Sequence, residues 1–111
     1  MKSIQLAIYL AIRYNEPEIV DILIKTIDIN IPLETGTTLL EEAIRYRRPL
    51  IVKHLLDQGA IKSSFILDFW FSQFRNDIYN NQFINEHIEI NKLLLDQLHQ
   101  SIPNRSISSP F

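Results

Sequence analysis

The sequence predicts an all-α fold, a short solenoid of helix pairs. Three observations lead there. One fourteen-residue segment occurs twice. Each copy carries apolar residues at helical spacing on both sides of a proline. A third, degenerate helix pair follows in the C-terminal half. The segments AIRYNEPEIVDILI (residues 11–24) and AIRYRRPLIVKHLL (residues 43–56) align in register 32 residues apart. They share Ala11/Ala43, Ile12/Ile44, Arg13/Arg45, Tyr14/Tyr46, Pro17/Pro49, Ile19/Ile51, Val20/Val52 and Leu23/Leu55. A recurrence of this kind marks stacked structural repeats, each unable to bury its apolar face alone.

The first element is read in MKSIQLAIYLAIRY. It imitates a secretory leader, with Lys2 before an apolar run, but the run is short, holds Gln5 and has no small-residue cleavage site. Its recurrence as part of a repeat assigns it instead to a helix with Ile8, Ala11 and Ile12 on one face. Pro17 opens the partner helix, where a missing N–H costs nothing, and Ile19, Val20, Leu23 and Ile24 form its apolar face. TIDINIPLETGTT (residues 26–38) is polar, turn-rich and too short for a further helix. In the second unit Thr38 is the expected N-cap, with Glu41 completing a capping box. Leu39, Leu40, Ala43 and Ile44 follow at helical spacing. Pro49 restarts the chain after Arg47–Arg48, Ile51, Val52, Leu55 and Leu56 give the second face, and Gly59 ends it.

GTTLLEEA followed by PLIVKHLLDQGA resembles the ankyrin repeat, whose pattern runs G-x-T-P-L-H-x-A, then I-V-x-x-L-L, then G-A. Gly36, Thr38, Leu40, Ala43, Ile51, Val52, Leu55, Leu56, Gly59 and Ala60 sit on that pattern; Leu39 replaces its Pro and Glu41 its His. The first unit matches from Ala11 to Asn30 without the terminal Gly, which leaves the offset one short of the family's period. The resemblance covers roughly residues 6–62. It implies repeats at about 4–30 and 36–62 within one domain, 1–102. It also implies a non-catalytic protein–protein interaction module, an adaptor or inhibitor, that binds through a concave helix face (Arg13, Tyr14, Glu42, Arg45, Tyr46) and a hairpin tip (Leu33, Glu34, Thr35).

The third unit, about 63–100, is expected to cap the stack. SSFILDFWFSQF (residues 63–74) concentrates Phe65, Phe69, Trp70, Phe71 and Phe74 in one helix with a narrow polar stripe of Asp68, Ser72 and Arg75. Ser63 or Ser64 is the expected cap. A helix apolar around most of its surface is buried on several sides, here between the second repeat and a helix at about 85–100. The alternative is that some aromatics, Trp70 among them, stay exposed as interface anchors or drive homodimerisation. RNDIYNNQFINE reads as a loop whose Ile78, Tyr79, Phe83 and Ile84 tuck onto the body. The second-helix pattern (Ile90, Leu93, Leu94) arrives about seven residues later than the repeat offset requires, which implies an insertion or a longer first helix. Residues 103–111, rich in Ser and Pro, read as a flexible tail.

The chain carries 46% apolar and 22% charged residues, a formal charge of −2 and no cysteine. That excludes disulfides and thiolate metal sites and fits a reducing compartment, the cytoplasm, its own or that of a host cell into which it is delivered. No segment is long enough to cross a membrane. His54, His87 and His99 are the only histidines, and His87 and His99, twelve apart, share no ligand-like spacing with an acid, so no metal is expected. No nucleophile elbow or phosphate loop points to catalysis or a cofactor. Glu41 and Glu42 read as a solvated helix start. Arg45, Tyr46, Arg47 and Arg48, with Arg13 and Tyr14 one repeat away, form a basic and aromatic patch suited to an acidic protein segment; the net negative charge argues against nucleic acid.

Overall fold

The computed structural model describes residues 3–63 and 65–100, the side chains of 96–100 excepted. Six helices occur among them: α1 (Ser3–Arg13), α2 (Pro17–Ile24), α3 (Leu39–Arg45), α4 (Pro49–Asp57), α5 (Ile66–Tyr79) and α6 (Ile84–Gln100), with no strand. They form three antiparallel hairpins, α1–α2, α3–α4 and α5–α6. The first helices pack α1 on α3 on α5, and the second helices α2 on α4 on α6. The fold is therefore all-α and two layers deep. Its core runs through Ile8, Ile12, Val20, Leu40, Ala43, Ile44, Ile51, Val52, Leu55, Ile66, Ile90 and Leu94.

The local signals hold. Thr38 caps α3 in a full capping box, its hydroxyl accepting from Glu41 N–H at 3.2 Å while the Glu41 carboxylate accepts from Thr38 N–H at 2.9 Å. Pro17 and Pro49 open α2 and α4. Gly59, at φ +98°, takes the left-handed conformation that lets the chain leave α4.

The three hairpins turn in the same way. Glu16 N–H donates to Ala11 C=O, Arg48 N–H to Ala43 C=O and Gln82 N–H to Asp77 C=O, at 2.8, 2.9 and 2.8 Å. Asn15, Arg47 and Asn81 take positive φ at equivalent places, 59°, 56° and 56°. These bonds align α5 with the earlier first helices and put Asp77 where the others have Ala. The second helices start alike too: Val20 N–H bonds Glu16 C=O, Val52 N–H bonds Arg48 C=O and His87 N–H bonds Phe83 C=O. His87 therefore occupies the valine position. The contacts between hairpins repeat in the same register, since Asn30 Nδ2 donates to Gly59 C=O (3.2 Å) and Lys62 Nζ to Leu94 C=O (2.9 Å). Burial pushes the Lys62 ammonium pKa down.

The third hairpin departs from the sequence reading in several ways. The expected loop after residue 74 is helix: α5 continues to Tyr79, so the first helix is longer. Ile78, Tyr79 and Phe83 are exposed rather than tucked in. The second helix is late by three residues, not seven, because Ile90 stands at the place of Leu55 and not of Ile51. The apolar pattern misled because Glu86 and His87 fill the places of Ile51 and Val52. Phe65 is the residue before α5 and supplies no side-chain cap; Ser63 Oγ accepts from Phe65 N–H, at 3.3 Å. Ser64 and the expected tail at 103–111 lie outside the described residues.

A candidate interaction surface and a buried junction

Where α1, α3 and the 33–38 turn meet, a cleft of about 190 Å³ is lined by Tyr9, Thr35, Thr37, Glu42, Arg45 and Tyr46. The spacing of the repeats builds it. Tyr46 follows α3 and reaches back one hairpin to Tyr9 of α1; the two hydroxyls bond at 2.7 Å and the rings meet edge to face at 6.0 Å. That hydrogen bond, then burial, push the Tyr46 phenol above its ordinary pKa, while the positive charge of Arg13 pulls it down. Glu42 is buried, contrary to the solvated helix start expected for it. Its carboxylate accepts from Thr37 Oγ1 and lies 3.4 Å from Arg45 Nε. A buried carboxylate needs such partners. Arg45 remains half exposed and lies 5.9 Å over the Phe69 ring. The cleft thus joins a phenol pair, hydroxyls and a guanidinium on one rim.

Of the residues expected on one face, Glu42, Arg45 and Tyr46 line this cleft, and the charge of Arg13 acts on Tyr46 from nearby. Tyr14 turns outward beside Arg13, whose guanidinium lies 5.8 Å from its ring. Glu34 is exposed on the turn. Leu33, expected at the turn's surface, is buried; it lines another cleft with Ile4, Gln5, Ile27, Asp28, Ile31 and Leu39.

Arg47 and Arg48 leave the patch to join hairpins. Arg48 Nε donates to Ile12 C=O at 3.2 Å and its Nη2 to Arg13 C=O, satisfying carbonyls at the end of α1. Arg47 donates two hydrogen bonds to Asp77, Nε to Oδ2 at 2.6 Å and Nη2 to Oδ1 at 2.7 Å, and lies 5.1 Å over Phe83. Asp77 Oδ2 also bonds His87 Nε2 at 2.5 Å, and Trp70 Nε1–H donates to His87 Nδ1 at 3.1 Å. An indole N–H can only donate, so Nδ1 accepts and Nε2 carries the proton toward Asp77. Trp70 stacks on Phe74 at 5.2 Å, and Phe74 meets His87 edge-on at 5.5 Å. Burial alone would raise the Asp77 carboxyl. The hydrogen bonds from Arg47 and His87, with the charge of Arg47, outweigh it and hold the carboxyl below its ordinary range.

Sequence reasoning missed Tyr9, Thr37, Asp77 and His87. DIYNNQF aligns with AIRYNEP and AIRYRRP only once the turn geometry is known. Among the described residues no three side chains of metal-ligating type gather, and no helix is long and apolar enough to cross a membrane. Compared with known proteins, the chain matches no family model, no curated protein and no solved structure.

Proposed function

We propose that the stack is a short solenoid of ankyrin type that works as a non-catalytic protein–protein interaction module, an adaptor or inhibitor in the cytoplasm. The observation that carries this reading is the cleft between α1, α3 and the 33–38 turn, with Arg45 and Tyr46 on its rim and Arg13 nearby. Support for the ankyrin-type reading comes from the stacked hairpins, the Thr38 cap and the positive φ of Gly36 and Gly59, all at places the repeat pattern requires. The partner's contacting segment is acidic, because Arg13 and Arg45 are exposed cations beside the cleft and tyrosines are favoured at interface centres.

The test compares capture of a partner by the immobilised wild type and by the Arg45→Glu/Tyr46→Ala variant. Capture is lost while helical circular dichroism remains. Equal capture by the two proteins, with equal dichroism, overturns the assignment of this surface.

A further inference from the structure

We propose that copies of this chain stack end to end, the outer face of α5–α6 of one copy seating on the outer face of α1–α2 of the next. The proposal goes beyond the partner cleft and rests on the register of the three hairpins. Inside the stack, Ile51 is 0% exposed, yet its counterpart Ile19 is 45% exposed. Ile12 and Ile44 are each 0% exposed, yet their counterpart Ile78 is 47% exposed. The first hairpin thus bares the side that, in the second, is covered by a preceding hairpin. The third bares the side that, in the other two, is covered by a following one.

The positions that meet across each junction identify the occupant. Between α2 and α4, Asp21 Oδ2 lies 2.7 Å from His54 Nδ1. One step on, the same two positions hold Lys53 of α4 and Glu89 of α6, which line one groove. At the free ends these positions hold Ile88 of α6, 48% exposed, and Ile22 of α2, 64% exposed. Where the internal junctions place charged or ionisable side chains opposite one another, the ends carry two isoleucines that match each other and not water. The first helices agree. Tyr9 meets Tyr46 at the first junction, and the corresponding end residues are Arg75 and Tyr14, a cation and an exposed ring suited to one another. Leu10 and Phe71 add apolar surface at the two ends. A further copy supplies both missing faces at once. Because the two faces differ, the contact is heterologous and propagates rather than closing as a two-fold dimer.

Sedimentation velocity on the full chain tests this with Ile22→Lys and Ile88→Lys, both at exposed positions where folding is checked by circular dichroism. The wild type is expected to rise with concentration past twice its 13.1 kDa monomer mass. Each single variant stays monomeric, since each has one disabled face. An equimolar mixture of the two recovers association but stops at the dimer, because only one pair of intact faces remains. A wild type that is monomeric at several hundred micromolar overturns the proposal. So does a wild type that stops at a dimer, which indicates a two-fold contact, or a mixture that stays monomeric.

Discussion

Replacing Asp77 by alanine should unseat the third hairpin although alanine is what the other two hairpins carry at that place. Ala11 and Ala43 show that the backbone accepts the smaller side chain there. The loss is therefore electrostatic. Asp77 carries two hydrogen bonds from Arg47 and one from His87, and its side chain is 2% exposed. Its removal strands the Arg47 guanidinium, whose side chain is only 18% exposed. Removing one partner of a buried ion pair costs about 3–5 kcal/mol. Because Arg47 retains some water contact, the low end applies, about 3 kcal/mol, or roughly 12–24 °C in Tm for a domain of this size. The assay is urea unfolding followed by Trp70 fluorescence and by circular dichroism. Arg47→Ala should cost a similar amount by stranding the carboxylate. The double variant should cost much less than the sum, with a coupling of at least about 2 kcal/mol. A loss below about 1 kcal/mol for Asp77→Ala, or additive single effects, would refute the reasoning.

Other outcomes follow from the same geometry. The Asp77 carboxyl is depressed in the folded state, so its contribution is present above the unfolded value near 3.9 and is lost as pH falls below about 4; Asp77→Asn should flatten the acid limb of a stability–pH profile below that point. The Tyr46 phenol is raised in the folded state, so its contribution is complete below about pH 10 and disappears as pH rises through its folded value. Ultraviolet titration should show one late-ionising tyrosine that titrates earlier in Tyr9→Phe. Thr38→Ala removes one half of the capping box and should lower stability by about 1 kcal/mol in thermal unfolding. Gly59→Ala meets no steric neighbour, so its cost is the backbone penalty of positive φ alone, about 1–2 kcal/mol in the same assay.

The first two hairpins were legible because their signals are local. A capping threonine, first-turn prolines and a terminal glycine fix helix ends within a few residues, and Ile, Val and Leu at helical spacing state which face is covered. The third hairpin hid for a physical reason. Its junction uses Asp77 and His87 where Ala and Val would be recognised, and such a pair is stable only because Arg47 arrives from another hairpin and Trp70, earlier on α5, reaches His87. Nothing in a linear pattern links Arg47 to a residue thirty positions away. The same cause explains the fate of the arginine patch. Arg45 faces solvent, whereas Arg47 and Arg48, adjacent in sequence, are turned by a positive-φ backbone toward opposite neighbours. The aromatic helix divides in the same way: Trp70 and Phe74 face His87, while Phe65 and Phe71 stay exposed.

The seating of the third hairpin is tested most directly by nitrogen-15 NMR of the His87 ring near neutral pH. The junction requires Nε2 protonated toward Asp77 and Nδ1 bare, accepting from the single tryptophan, with the Nδ1 signal moving in Trp70→Phe. A ring protonated at Nδ1, or one averaging between tautomers like a free imidazole and indifferent to Trp70→Phe, would contradict it.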